Sequence, residues 1–325
     1  AARLGTDHHE YYCTEADALE VVQDLPFYYD EPFADSSAIP TILVSRMARK
    51  SVTVALSADA GDEIFGGYDR YEWILKYYKR INAIPALARQ GGAALLRAVD
   101  LTRWPRWQDD FVFQKKYEKL QTLLRKPDAQ NIFLGASVYF NDRELSDLFK
   151  IPPQAGYSAH YCEAMQSAYF DPLSYAMAKD YETYLVDDIL QKVDRATMSI
   201  SLEGREPFLD QHIIEWAAGL PADYKIYNGQ RKYILRRIVH QYIPEQIMDR
   251  PKMGFAVPIR SWLHQALKPL VDHYFSASFL KQQGIFNEKY LQRISGSYYE
   301  KGRENDYKIW FILMFQMWYD KWMRA

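Results

Sequence analysis

The chain has 325 residues, 48% of them apolar and 15% aromatic, enough to bury a large core. Forty Lys and Arg against forty-two Asp and Glu leave a net charge of -2, which excludes a global field that would draw the chain to nucleic acid or an anionic membrane. No run spans a bilayer, the longest strongly apolar stretch, near Ile309 to Tyr319, being broken by Gln316, and two cysteines, Cys13 and Cys162, suit a reducing cytosol rather than a disulfide framework.

In chain order, Tyr11-Tyr12-Cys13 is expected to close a strand, Glu15 to Val22 to form a helix, and Ala38 to Lys50 another, capped by Ser36 or Ser37. His8-His9-Glu10 lacks the i, i+4 spacing of a zinc helix and reads as strand-end structure. Val52 to Leu56 is short, apolar and rich in β-branched residues, the pattern of a parallel strand buried on both faces.

Directly after it comes Ser57-Ala58-Asp59-Ala60-Gly61-Asp62-Glu63-Ile64-Phe65-Gly66-Gly67-Tyr68. The carboxyl end of such a strand is where open α/β sheets bind ligands. Small residues at Ser57, Ala58, Ala60 and Gly61 admit a bulky ligand to the backbone, while Asp59, Asp62 and Glu63 crowd like charges that call for a cation, usually magnesium with phosphates. The helix that starts near Glu63 favours acids in its first turn. Gly66 and Gly67 cost such a helix about 1 kcal/mol each relative to alanine, so a close approach of backbone or ligand is expected there. The alternative is an acidic surface loop.

Residues 1–80 thus read as α/β and 81–325 as mostly helical, with Trp104-Pro105-Arg106-Trp107 a turn and Phe111 to Leu124 a helix. No repeat or linker marks a clean boundary. Between Tyr184 and Ile200, Leu185, Ile189, Val193, Ala196 and Ile200 recur at helical spacing, with Asp188, Lys192, Arg195 and Ser199 on another face. By itself that face is an ordinary solvated row of ion pairs. The aromatic residues, 26 of them tyrosines, read as packing rather than base-stacking surfaces. The tail from Trp310 to Trp318 is apolar nearly all round; burial within the chain is expected, and docking on a partner subunit of a homo-oligomer stays open.

Ser57 to Tyr71 resembles the signature of the synthetase domain of glutamine-dependent asparagine synthetases. Asp30-Glu31-Pro32-Phe33-Ala34-Asp35-Ser36-Ser37-Ala38-Ile39-Pro40, Gln191 to Arg195, Ser201 to Asp210, Lys232-Tyr233-Ile234-Leu235-Arg236 and Arg250 to Ile259 follow the family's order across nearly the whole chain. The fold so implied is an incomplete parallel sheet of the adenine-nucleotide alpha-hydrolase, or pyrophosphate-loop ATPase, type, with a large helical C-terminal part. The family's Ser-Gly-Gly-x-Asp-Ser loop is absent, so residues 1–325 read as a synthetase domain lacking its first strands, roughly two βα units of about 30 residues each, and lacking the glutaminase domain. The parent reads as a cytoplasmic ligase of the asparagine synthase (glutamine-hydrolysing) type, this piece alone as inactive.

The implied chemistry uses ATP and Mg2+: the aspartate side-chain carboxylate attacks the α-phosphorus, pyrophosphate leaves, and ammonia from glutamine displaces AMP. By resemblance Ser57, Ala58 and Gly61 border the nucleotide, Asp62 helps to bind magnesium, Asp59 takes a proton from the incoming amine and Glu63 assists. Lys232 stabilises the departing pyrophosphate, where a compact ammonium suits developing charge. Asp188 is the match for an acid that handles the amine, with Asp187 as its alternative. Glu203 and Arg205 read as a buried ion pair or a substrate contact, and Arg250 and Lys252 as part of a loop over the site or as surface charges. Ala58 and Ala60 replace the usual glycines, and Gly204 and Glu206 a usual valine and apolar residue. These departures resemble relatives in surface-polysaccharide synthesis and leave another acceptor, such as a sugar acid, or a silent binding module as alternatives.

Overall fold

Thr14 opens the first helix by local hydrogen bonding: its hydroxyl accepts from the Asp17 N–H at 3.2 Å, and the Asp17 carboxylate accepts from the Thr14 N–H at 3.0 Å. A computed structural model of the chain describes residues 1, 3–99, 101, 104, 111–153, 171–248, 257–301 and 306–324. Helix α1 (Glu15–Tyr28) runs beyond Val22 because Leu25 and Pro26 are also buried. No strand forms at Tyr11-Tyr12-Cys13; the polar contacts there are local, Tyr11 to Asp17 and Tyr12 to Glu10, and supply no ladder. Helix α2 (Ala38–Arg49) starts where expected, but Ser37 makes no capping bond. Its hydroxyl donates to Asp35 at 2.7 Å instead.

Strand β1 (Val54–Leu56) pairs in parallel with β2 (Glu203–Arg205), Val54 opposite Glu203 and Leu56 opposite Arg205. The α/β unit therefore draws its second strand from beyond residue 80. The expectation of a strand buried on both faces does not hold: Val54 is 45% and Leu56 75% exposed. An apolar run specifies a surface that can be covered; it does not supply the covering element.

After β1 come α3 (Gly61–Phe65) and α4 (Asp69–Asn82), then α5 (Ala86–Ala98), α6 (Phe111–Arg125), α7 (Ala129–Ser137) and α8 (Asp142–Leu148). The elements described between 81 and 180 are helices, as expected. Pro105 to Trp107 and Cys162 lie outside the described residues. Helix α9 (Pro172–Glu182), a π-helical turn (Leu185–Leu190) and α10 (Gln191–Met198) follow one another closely. A π turn inserts a residue into the 3.6-residue period and shifts which side chains share a face.

Beyond β2, a 3-10 turn (Pro207–Leu209) leads to α11 (Gln211–Ala218) and α12 (Ala222–Lys225), then to a hairpin of β3 (Ile226–Tyr227) and β4 (Gln230–Arg231). Asn228 and Gly229 turn it with φ +48° and +78°, the dipeptide and signs of a tight primed hairpin turn. Next are α13 (Tyr233–Val239), α14 (Glu245–Met248), α15 (Ile259–His264), α16 (Lys268–Tyr274), α17 (Ala277–Gln283), α18 (Glu288–Lys301) and α19 (Asp306–Trp322).

The largest apolar cluster joins α1 and α2 to the C-terminal helices around Trp262, Trp310 and Leu313. Helix α19 is buried within the chain, as its composition predicts. The Trp310 indole donates to the Ala34 carbonyl at 2.7 Å, tying the tail to the loop before α2. Tyr71, Ile74, Phe133 and Tyr175 form a second cluster, and Ala60, Phe65, Leu185 and Ala217 a third beneath the acidic loop. Among the described residues no helix is long and apolar enough to cross a membrane.

Candidate active site

The acidic loop begins at the carboxyl end of β1, where the Ser57 N–H donates to the Arg205 carbonyl at 2.9 Å. The Ser57 hydroxyl donates to Asp59 Oδ2 at 2.6 Å. Ala60 then takes φ +70°, a left-handed conformation that costs a non-glycine residue roughly 1–2 kcal/mol, and α3 starts at Gly61. The three acids diverge. Asp59 turns to Ser57, Asp62 pairs with Lys232 Nζ at 3.0 Å, and Glu63 turns inward to accept from the Tyr68 hydroxyl. Among the described residues no group of three or more acids, histidines or cysteines is placed to hold a metal ion without further ligands.

Lys232 stands at the exit of the hairpin with φ +51°, immediately before α13. Two strained residues, Ala60 and Lys232, thus flank the Asp62 ion pair, and strain of this kind clusters where surrounding structure over-determines a site. Gly67 makes the contact sterically feasible: a Cβ there would lie 1.8 Å from Asp62 Oδ1 and 2.3 Å from Lys232 Cε. The close approach expected at the glycine pair is that of the protein's own Asp62 and Lys232. We expect Gly67→Ala to separate the pair and cost about 1–3 kcal/mol, read as a lowered denaturation midpoint.

Glu63 is 2% exposed, and burial pushes its carboxyl up while the Tyr68 hydroxyl pulls it back. It is a buried acid of the wall, not of the loop's mouth. Glu206 reaches the loop from the β2 side. Burial and then the Asp59 charge raise its carboxyl, which lies 3.2 Å from the point a Gly204 Cβ would occupy. Gly204 and Glu206, the two departures noted in sequence, are one steric unit. Glu203 and Arg205 pair at 2.6 Å but are both more than half exposed, so the expected buried ion pair is a surface one of small energetic weight. Arg250 and Lys252 lie outside the described residues.

Asp188 lies in a second cluster beside Tyr184, whose ring centroid is 5.7 Å from that of Tyr68. Asp188 and Lys192 do not form the row of ion pairs suggested by their spacing. Lys192 is buried and gives its charge to Asp35 at 2.9 Å, with the Ser37 hydroxyl also at 2.9 Å. Burial would raise Asp35, yet Lys192 and Ser37 hold its carboxyl below the usual range. The Asp188 carboxyl is pushed up to about 8, first by burial, then by the charge of Asp35 and a hydrogen bond to it. Of the two candidates on the π turn, Asp188 faces Asp35 and Asp187 is exposed.

The folded chain therefore keeps a proton on Asp188 that an unfolded chain releases above about pH 4, and folded stability falls as pH rises from about 4 to 8. Asp180, Glu63 and Glu206, all raised by burial, act in the same direction. Asp188→Asn is expected to make this fall shallower, which urea melts at about pH 5 and about pH 8 would measure.

Sequence reasoning missed the partners in this cluster. Arg70 Nη2 pairs with Asp180 at 2.8 Å, and its guanidinium stacks 4.5 Å from the Tyr68 ring centroid and 4.6 Å from that of Tyr184. Asp35 and Arg70 lay inside motifs already quoted and were findable; Asp180 is one acid on a helix and carries no signal.

The asparagine synthase family profile matches residues 1–320. The chain belongs to the asparagine synthase family. It is 28% identical over 324 residues to asparagine synthetase (glutamine-hydrolyzing) 1 of Bacillus subtilis, covering 98% of this chain and 48% of that protein. With a putative asparagine synthetase (glutamine-hydrolyzing) of Mycobacterium bovis it shares 29% identity over 336 residues, 98% of this chain and 47% of the relative. A fungal relative, Amidase chry2 of Gibberella zeae, is 23% identical over 287 residues, 82% of this chain and 42% of that protein. The chain spans about half the length of the asparagine synthetases it matches. Within this asparagine synthase domain, Ser57, Asp59, Gly61, Asp62 and Lys232 belong to one neighbourhood, while Asp188 belongs to the adjoining acidic cluster.

Proposed function

We propose that this asparagine synthase domain carries out ATP-dependent amide formation, activating the aspartate side-chain carboxylate as β-aspartyl-AMP and passing it to ammonia from glutamine. The observation that carries the reading is the strained Asp62–Lys232 pair, held against Gly67 at the carboxyl end of β1. A mobile triphosphate can exchange with Asp62 for the Lys232 ammonium, which then meets the charge that develops as pyrophosphate leaves. The Ser57 and Ala58 backbone and Gly61 border the nucleotide in this reading.

The Asp62 carboxylate is about a quarter exposed. One carboxylate together with substrate phosphates fits the oxygen donor set of Mg2+. Bound there, the ion would supply charge neutralisation on the phosphates. Asp59, set by Ser57 at 2.6 Å, is the acceptor for a proton of the incoming amine, and Asp188 supports it from the adjoining cluster.

The reading includes a sheet of the adenine-nucleotide alpha-hydrolase type, whose further strands would cover the exposed Val54 and Leu56, and a cytoplasmic enzyme whose glutaminase activity lies outside residues 1–325. Glu206 favours a second reading, the amidation of another carboxylate, because it adds a charge beside Asp59. Pyrophosphate release from ATP-Mg2+ and ammonium, with aspartate present or omitted, tests both in the chain's full natural context. Aspartate-dependent release with asparagine formed is the expected result; release without aspartate dependence moves the assignment to another acceptor.

A further inference from the structure

A cavity of about 510 Å3 is lined in part by Tyr184, whose ring meets that of Tyr68 at 5.7 Å between centroids. Phe33, Tyr139 and Phe311 form its apolar wall, the last two in edge contact at 4.9 Å between centroids. Asp35, Asp180, Asp187 and Asp188 line it, and among the described residues Arg70 is the one basic group of the lining.

Its cations are committed. Arg70 is held by Asp180 at 2.8 Å and stacked on two rings, and Lys192, beside the cavity, is held by Asp35 at 2.9 Å. Among the described residues Asp187 and Asp188 have no ion-pair partner, and Asp188 Oδ1 is buried without a hydrogen bond. Among the described residues an incoming carboxylate would meet no cation without a counterion, and beside it Asp187 without an ion pair and Asp188 hydrogen-bonded to Asp35, so the cavity selects against anions. An ammonium ion would pair with Asp187 and give Asp188 Oδ1 a donor. Free ammonium, however, is about the size of a water molecule, whose share of liquid volume is about 30 Å3. The remaining volume, walled by rings, suits a carbon body.

We propose that this cavity binds an organic primary amine as its ammonium ion, the charge on Asp187 and Asp188 and the carbon body against Phe33, Tyr139 and Phe311. That the amine is the nitrogen-bearing substrate of the ligase rests on the function proposed above; the binding site itself does not.

The groups that act on Asp188 are Asp35 from the loop before α2, Arg70 from α4, Tyr29 from α1, Tyr139 after α7, and Tyr184, Asp187 and Lys192 from its own segment. With these around it, Asp188 holds a proton up to about pH 8, which a bound ammonium would displace. Binding therefore tightens as pH rises through that range.

Titration calorimetry of this chain with phenethylammonium chloride at about pH 8.5 tests the site, with 3-phenylpropionate and ammonium chloride as controls. Saturable binding of phenethylammonium is expected, with none by the carboxylate and little competition from equimolar ammonium. Asp188→Asn should weaken it at least about tenfold. Tyr139→Ala, which removes a half-exposed ring and leaves the carboxylates in place, should weaken it several-fold. No saturable binding to the unaltered chain, equal binding by 3-phenylpropionate, equal competition by ammonium, or unchanged affinity in both variants would each overturn the proposal. Failure of ATP-dependent pyrophosphate release would leave these binding results as they are and would count against the ligase reading alone.

Discussion

Replacing Lys232 by methionine is expected, in the chain's full natural context, to lower pyrophosphate release by about 10²–10³-fold while leaving the chain folded. The side chain is one-third exposed, so its removal opens no core cavity. What is lost is a preorganised positive charge, placed by the Asn228-Gly229 hairpin and by the left-handed backbone at residue 232. A stabiliser of developing charge acts more strongly in the transition state than in the ground state, so the loss belongs in kcat more than in KM. Lys232→Arg should recover little, because a planar fork does not match a point-charge position pressed against Gly67. A variant with near-normal turnover would remove Lys232 from the phosphate site.

Asp180→Ala is expected to cost about 3–5 kcal/mol in folding free energy, the largest loss of stability we predict for a single polar residue here. Asp180 is 1% exposed, and its carboxylate is the ion-pair partner of Arg70, which lies over the Tyr68 and Tyr184 rings. Truncation leaves the guanidinium buried without a counterion, and that desolvated charge, more than the lost attraction, sets the cost. Urea denaturation should show a lower midpoint with an unchanged m-value. Asp180→Asn, which keeps the volume and a hydrogen-bonding oxygen, should lose less. Equal stability of the alanine variant and the unaltered chain would show that Arg70 is already satisfied by the two rings.

The acidic loop was legible because its chemistry is contiguous. Small residues, three acids and a glycine pair sit together in Ser57 to Tyr68, and the structure keeps Ser57, Asp59, Gly61 and Asp62 in one neighbourhood. The divergence of its acids was not legible, because it is set by partners far along the chain, Lys232 for Asp62, and by the depth at which Glu63 is buried. The polar face between Tyr184 and Ile200 misled in a similar way. An i, i+4 spacing predicts that Asp188 and Lys192 meet, but Asp35, well over a hundred residues earlier, takes the lysine, and a π turn shifts the period.

By itself the sequence determined the family, the position of the loop, the helical character of the C-terminal part and the burial of its tail, since motif, composition and periodicity are local properties. Tertiary structure alone decided that Leu56 is exposed, that Gly67 exists to let Asp62 and Lys232 meet, and that Asp188 shares a buried cluster with Asp35 and Arg70. The reason is physical: charge pairing, desolvation and steric contact depend on distance in space, which residues widely separated in the chain acquire only when it folds.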